Sequence, residues 1–326
     1  MKAATPAGPQ TLLEAVAYFA DPDAALAYFV NIRWPDGVRC PTCGCDRVHF
    51  LRNQQRFQCA AKHPKRQFSA KVGTVFEDSP LPLGKWLVAL WLEVNAKNSI
   101  SSWEVHRALG ITQKSAWFMQ QRIRLAMQTG TFEKMSGTVE ADETYIGGKA
   151  EFMHADRRKR KVTGTGAFGS GKACVMGLLE RHGPDGSCSK VRTKVLPDTR
   201  RKTVHPVVRD NVAPGSHLYT DSLASYSGLG ADYVHQFIDH AETYAAGVVH
   251  TNGLENFWSL FKRCIKCTHV SVEPFHLFRY LDAEAFRFNN RKTDDGARFV
   301  AVAKGVTGKR LTYKSLIGAD MTVGDS

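Results

Sequence analysis

Val139-Glu140-Ala141-Asp142-Glu143-Thr144-Tyr145-Ile146-Gly147-Gly148 is the stretch on which the fold turns. Its alternating side chains predict a strand, with Glu140 and Asp142 on one face and Glu143 on the other. On that geometry Glu143 does not easily share a metal with Asp142. The ligand expected from this strand is therefore Asp142, with Glu140 as the alternative. Two further acids stand in distinctive surroundings. Asp221 follows His217-Leu218-Tyr219-Thr220, a short apolar strand ending in a loop, and Glu255 lies in His250-Thr251-Asn252-Gly253-Leu254-Glu255-Asn256-Phe257-Trp258. Two carboxylates about 4 Å apart repel by roughly 4 kcal/mol at an effective dielectric near 20, so acids that converge imply a divalent cation or a shared proton. A hard cation such as Mg²⁺ takes oxygen ligands and keeps several waters, which leaves room for a phosphodiester and an attacking hydroxyl.

Each acid also has a simpler explanation. Asp221 can serve as the N-cap of the following turn, and Asn252-Gly253-Leu254-Glu255 has the spacing of a capping box with Glu255 at its third helical position. The helix after Asn252 favours the metal reading for Glu255. Leu254, Phe257, Trp258, Phe261 and Ile265 form its apolar stripe, whereas Glu255, Ser259 and Lys262 share another face. Lys262, seven residues on, lies almost directly above Glu255. A carboxylate for metal and a cation two turns along, suited to a DNA phosphate, make one coherent face, with Arg263 beside it as a second DNA candidate. An exposed ion pair between Glu255 and Lys262 is the alternative.

Around this helix the pattern predicts antiparallel strands at 139–146, 173–179 and 190–195, then a helix at 202–211. Strands at 217–220 and 233–238 follow, with helices starting at Asn252 and Pro274. A mixed α/β order with acids on the first strand, at the end of the fourth and on a late helix is the layout of a ribonuclease H-like fold.

Upstream, Cys40-Pro-Thr-Cys43 is one metal-ligand knuckle, and Cys59-Ala-Ala-Lys-His63 offers a second. Structural Zn²⁺ takes four S or N ligands in a tetrahedron, and a module with so little core needs that energy to fold. The expected ligands are Cys40, Cys43, Cys59 and His63, with Cys45 as the alternative fourth and His49 a poorer one. Cys264-Ile-Lys-Cys267, near His269, has metal spacing but no matching pair, so it is read as structural. The run from Gly166 to Ala173 imitates a phosphate-binding loop, yet Ala173 stands where Ser or Thr would hold Mg²⁺ and the run precedes a strand, which argues against an ATPase.

Two short helices, 12–18 and 24–32, are expected ahead of the cysteine module, because Pro22 cannot continue the first. After it, Trp86, Leu87, Leu90, Trp91 and Val94 mark a helix, and Ser101-Ser-Trp-Glu104 is a capping box opening another that stops at Gly110. A longer helix follows, and the outline resembles a helix-turn-helix, with an ordinary helical hairpin as the alternative. On that reading Gln113, Lys114, Gln121 and Arg122 project outward toward DNA, while Trp117 and Ile123 are core.

The 326 residues carry 44 Lys and Arg against 31 Asp and Glu, a net charge of +13, which favours a polyanionic partner, nucleic acid first. Residues 39–72 alone hold eight basic residues against one acid, Asp46. Arg157-Arg158-Lys159-Arg160-Lys161 forms a second basic run, read as a loop that meets DNA or merely solubilises. No uncharged apolar run approaches the roughly 18 residues a membrane span needs, and the first residues lack an apolar signal core, so a cytoplasmic, nucleoid-associated protein with no membrane partner is expected. The early clustering of four of the eight cysteines agrees with a reducing compartment.

Taken together, Phe-Ala-Asp-Pro-Asp (19–23), Arg33-Trp-Pro-Asp-Gly-Val-Arg-Cys-Pro-Thr-Cys-Gly44, Gln67-Phe-Ser, Gly73-Thr-Val-Phe-Glu-Asp-Ser79, the Asp142 strand, His250 to Arg263 and Arg279-Tyr-Leu-Asp-Ala-Glu-Ala-Phe-Arg-Phe-Asn-Asn-Arg291 resemble zinc-ribbon DDE transposases of bacterial insertion sequences, the ISXO-like branch. The resemblance covers nearly the whole chain. It implies an N-terminal helical segment (1–32), a zinc ribbon (33–78), a helix-turn-helix-like segment (79–136), a ribonuclease H-like catalytic domain (137–292) and a C-terminal tail (293–326). It also implies Asp142, Asp221 and Glu255 as the catalytic triad holding two Mg²⁺ or Mn²⁺ ions, beside one structural Zn²⁺. The implied activity is cleavage of insertion-sequence ends by metal-dependent hydrolysis and joining of the 3′ ends to target DNA. Its partners would be double-stranded DNA, terminal inverted repeats and target alike, and by analogy a homodimer or larger assembly on DNA. Similar proteins usually carry C-x₂-C as the second zinc knuckle, whereas Cys59 and His63 stand here, and some relatives carry Asn third, which makes Asn252 and Asn256 reserve candidates. A transposase-derived regulator without catalysis and a metal-dependent nuclease without joining are the rival functions.

Overall fold

Asp21 separates two helices and caps the second. In the computed structural model α1 (Leu12–Ala20) is capped by Thr11, whose side chain accepts from the N–H of Glu14. Pro22 opens α2 (Pro22–Arg33), at a position where its missing N–H leaves nothing unsatisfied, and Asp21 accepts from the N–H of Asp23. The structure describes residues 8–128, 133–147, 156, 171–182, 188–221, 224–238 and 249–319. They fall into two units, residues 1–129 with 293–326, and residues 130–292.

In the first unit α1 and α2 lead into a small antiparallel sheet of β1 (Val48–Leu51), β2 (Arg56–Cys59) and β3 (Gln67–Phe68), in that spatial order. Three helices follow. α3 (Leu83–Asn95) buries Trp86, Leu87, Leu90, Trp91 and Val94. α4 (Ser102–Leu109) has both halves of the Ser101–Glu104 capping box and ends at Gly110, whose φ of 58° lies in the left-handed region that glycine tolerates. α5 (Gln113–Met127) is capped by Thr112.

Two residues expected to face DNA are interior. Gln121 is fully buried and Arg122 is 5% exposed. The Arg122 guanidinium donates to the carbonyl of Glu77 and lies over the rings of Trp86 and Phe118. The reason is that α5 packs against both α3 and α4, so polar side chains of its middle turns enter a buried network. Arg124 pairs with Glu93 at 2.8 Å, and Gln120 donates to the same carboxylate at 2.9 Å. Ile123 is buried, Trp117 and Gln113 are half-buried, and Lys114 is exposed with its Nζ 4.7 Å from the centre of the Tyr313 ring.

Residues 293–319 are not a free tail. The helix Asp295–Lys304 turns Phe299 into the first unit's core, against Phe19, Tyr28 and Trp91. Deleting such a buried ring leaves a cavity that costs about 3–5 kcal/mol. Phe299→Ala is therefore expected to lower the urea midpoint of the first unit's transition in the full chain; an unchanged midpoint would separate this helix from that core.

The second unit is built on β4 (Thr138–Ile146), β5 (Ala173–Glu180), β6 (Lys190–Leu196), β7 (His217–Asp221) and β8 (Val234–Ile238), in the spatial order β6-β5-β4-β7-β8. β4, β5 and β6 are antiparallel neighbours, as their sequence spacing predicts, whereas β7 and β8 run parallel to β4. Helix α6 (Arg201–Asn211) links the two halves and packs Val204, Val207 and Val208 on the face that holds Val139, Ala141 and Leu218. On the opposite face Val175, Leu179 and Val191 meet α7 (Asn252–Arg263) and α8 (Leu277–Asn289) through Leu254, Phe257, Trp258, Phe261 and Leu281. Two steps beyond the paired residues Glu140 and Tyr219, Asp142 stands level with Asp221 at the end of β7.

Candidate functional site

The register of β4 and β7 brings two acids to one strand end, and the structure adds a third. Oxygen atoms of Asp142, Glu143 and Asp221 all lie within 4.8 Å of one another. Strand alternation sets Glu143 on the other face, where it does not easily share a metal with Asp142, and here that expectation fails. β5 still pairs with β4 at Glu143, but on the other edge pairing between β4 and β7 stops at Glu140 and β7 ends at Asp221, so the β7 side of the sheet is open at the level of Glu143. Its longer side chain reaches the acids from the other side, with the Tyr226 hydroxyl donating to it at 2.5 Å.

Glu255, on α7, lies outside that close group but lines a cavity beside it. Asp142, Glu143, Glu255, Trp258, Ser259 and Lys262 line one cavity of about 470 Å³. Glu255 and Lys262 share the exposed face of α7, and the Trp258 indole N–H donates to Asp142 at 3.0 Å. Glu255 is no capping-box residue: Thr251 is the N-cap, Leu254 occupies the third helical position, and the Glu255 N–H already donates to the Thr251 carbonyl at 3.0 Å. Glu140, the alternative ligand, is engaged elsewhere. It accepts from the Leu254 N–H at 2.9 Å and pairs with Arg181 at 2.7 Å. Among the described residues neither Asn252 nor Asn256 lines the cavity.

Burial and mutual repulsion make this centre receptive to cations. Burial, then the charge of Asp221, raises the Asp142 carboxyl to about 6, although the Trp258 N–H opposes the shift. Burial raises Glu143 to about 8 against the opposing Tyr226 hydrogen bond, with Asp221 and Asp142 adding to the rise. Hard divalent ions suit such an all-oxygen donor set.

The cysteine module brings together four ligand atoms, from Cys40, Cys43, Cys59 and His63, all within 4.8 Å of one another. Cys40 Sγ lies 3.4 Å from His63 Nε2, and Cys43 Sγ lies 3.6 Å from Cys59 Sγ. Tetrahedral zinc with Zn–S near 2.3 Å has sulfur atoms about 3.8 Å apart, so the set fits that ion. The imidazole supports the fit through its Nε2, which faces Cys40 Sγ within the group. Burial raises the Cys40 thiol, but backbone N–H groups of Cys43 and Thr42 together with the neighbouring Cys43 and Cys59 thiols outweigh it and hold the thiol below its ordinary range. Burial pushes Cys59 up to about 12, which a bound cation would reverse. Cys45 stands outside this group, its sulfur turned to the Arg47 carbonyl at 4.0 Å.

Among the remaining candidates, Lys262 and Arg263 are exposed on α7, and Arg157, Arg158, Lys159, Arg160 and Lys161 lie outside the described residues, as do residues 166–170. Cys264 is buried and Cys267 exposed in the π-helical turn Cys264–His269, and neither belongs to a metal-binding group among the described residues. No helix of the described residues is long and apolar enough to cross a membrane. Sequence reasoning missed the roles of Tyr226, Arg181 and the Trp258 indole. The first two sit in segments without periodicity, and Trp258 was legible only as part of an apolar stripe.

Comparison with known proteins agrees with this geometry. Residues 134–289 match the ISXO2-like transposase domain family, and residues 20–61 match the transposase zinc-ribbon domain. The chain is 37% identical over 103 residues to an uncharacterized transposase-like protein of Haemophilus influenzae, covering 31% of this chain and 82% of that protein. The chain belongs to the ISXO2-like transposases. It is also 27% identical over 279 residues, 82% of this chain and 91% of the relative, to an uncharacterized protein in transposable element ISH50 of Halobacterium salinarum. Membership makes DNA the partner class and associates the chain with an insertion sequence, and the zinc-ribbon match accords with the cysteine and histidine cluster.

Two outcomes follow from these sites. Cys45→Ser is expected to keep about one zinc ion per chain, whereas Cys40→Ser and His63→Ala lower zinc content measured by atomic absorption; loss of zinc from Cys45→Ser alone would reverse the ligand choice. For the acids, the folded pKa values of about 6 and 8 lie above the unfolded values, so protonation favours the fold. Their stabilisation is full below about pH 4 and is lost as pH rises to about 8. Compared with Asp142→Asn/Glu143→Gln, wild-type protein in chelator should lose thermal stability across that window, and Mn²⁺ should remove the loss; parallel melting curves would count against the buried acid cluster.

Proposed function

We propose that residues 137–292 form a ribonuclease H-like core and that the chain is a DNA transposase. In this proposal it cleaves insertion-sequence ends by hydrolysis and joins the freed 3′ ends to target DNA. The observation that carries the reading is the meeting of Asp142 and Asp221 at one strand end, with Glu255 and Lys262 on the wall of the adjoining cavity. The sheet order and the mixed parallel and antiparallel pairing support the fold assignment.

Asp142, Asp221 and Glu255 are the proposed ligands of divalent Mg²⁺ or Mn²⁺. When bound, such ions lower the pKa of an attacking hydroxyl and neutralise charge on the transferred phosphoryl group and its leaving oxygen. The side chains do the rest. Trp258 fixes the Asp142 carboxylate through its indole N–H, and Tyr226 holds Glu143 beside it. Lys262, on the cavity wall, neutralises the DNA backbone next to the scissile bond, with Arg263 one residue on. Cys40, Cys43, Cys59 and His63 hold a structural zinc that stiffens a ribbon rich in Arg and Lys, suited to phosphate contacts at the inverted repeats. Because two ends must be joined together, the active form is a homodimer or larger assembly on DNA.

A strand-transfer assay with the matching end sequences in Mg²⁺ or Mn²⁺ tests the proposal. Asp142→Asn, Asp221→Asn and Glu255→Gln should each lower cleavage and joining by at least about 10²-fold, while binding to end DNA is retained. Cleaved but never joined product from the wild type would leave a nuclease, and binding without either would leave a regulator. Activity retained by Glu255→Gln would remove Glu255 from the site.

A further inference from the structure

We propose that Glu140 is a positioning residue that seats the start of α7 on the sheet and thereby presents Glu255 to the acid cavity; the inference rests on the assignment of Glu255 as a metal ligand. Thr251, the N-cap of α7, makes no side-chain capping hydrogen bond, so the first turn needs an acceptor from elsewhere. β4 supplies it. Glu140 Oε2 accepts from the N–H of Leu254, the residue before Glu255, at 2.9 Å. Its other oxygen pairs with Arg181 Nε at 2.7 Å, and Arg181 Nη2 donates to the His250 carbonyl at 2.6 Å. One ion pair thus holds the chain on both sides of the point where α7 begins.

Two glycines permit the close seating. A Cβ at Gly253 would come 2.8 Å from Glu140 Oε2, and a Cβ at Gly177 of β5 would come 2.6 Å from Trp258 Cζ2. The Glu140 side chain is 2% exposed, so its two oxygens are held by the Leu254 N–H and Arg181 and not by solvent. An apolar residue in its place cannot accept from one chosen N–H and fix the rotation of the helix. Glu255, the residue after Leu254 in that turn, rides on this rotation.

The test is a double-mutant cycle on Mn²⁺ affinity, measured by calorimetry on the full chain without DNA. The proteins are wild type, Glu140→Gln, Glu255→Gln and the double variant. Glu140→Gln should weaken Mn²⁺ binding about tenfold, the scale of losing an outer-shell partner, and Glu255→Gln at least as much. The double variant should bind no more weakly than Glu255→Gln alone, because Glu140 acts through Glu255; Asp142, Glu143 and Asp221 keep binding measurable at millimolar Mn²⁺. Additive losses, or wild-type affinity in Glu140→Gln, would overturn the positioning role while leaving Glu255 a ligand. Unchanged affinity in Glu255→Gln would overturn the ligand assignment itself, and the positioning role with it. Should Glu140→Gln fail to fold, Gly253→Ala, which alters no charge, runs the same cycle with the same expected non-additivity.

Discussion

Repulsion between carboxylates is the constraint around which the second unit is organised. Asp142 and Asp221 stand level because β4 and β7 are parallel and in register, and Glu143 joins them past the last paired residues. Such a cluster is tolerated only by holding protons or by holding cations. The raised pKa values of Asp142 and Glu143 express the first solution, and the open cavity beside them leaves room for the second.

Around that centre the fold separates charge by role. Glu140, two residues from Asp142 on the same strand and face, is neutralised by Arg181 and so adds no net negative charge to the cluster. Lys262 supplies positive charge on the cavity wall, where a DNA backbone would arrive. Trp258 packs its ring on the sheet and gives its one N–H to Asp142, so a core residue also orients an acid. Helix α7 carries Glu255, Trp258 and Lys262 together, and its seating therefore places all three on the cavity wall at once.

The first unit solves a different problem. The strands of its ribbon are two to four residues long and bury little beyond Phe57 and Phe68 against Trp34, and four S and N ligand atoms converge beside that small core. Its helices behave otherwise: α5 is enclosed on more than one side, with Gln121, Arg122 and Arg124 drawn inside. The helix at 295–304 completes that packing through Phe299, so the chain returns to its first unit after finishing its second.

Much of this was written locally. The Ser101–Glu104 box, the stop at Gly110, the Pro22 start, the apolar stripe of α7 and the C-x₂-C…C-x₃-H spacing each depend on neighbours a few residues away, so period and spacing sufficed to read them. Asp142, Asp221, Glu255 and Lys262 were likewise legible as candidates from strand ends and helix faces. The sequence could not tell that Glu143 crosses to the acid side, that Glu140 binds Arg181 and the α7 backbone, or that Arg122 is interior. Those outcomes depend on where a neighbouring strand stops, on a partner 41 residues away and on helices packing from two sides. Local periodicity says which way a side chain leaves the backbone; only the tertiary structure decides what it meets there, because that is set by elements the local pattern does not contain.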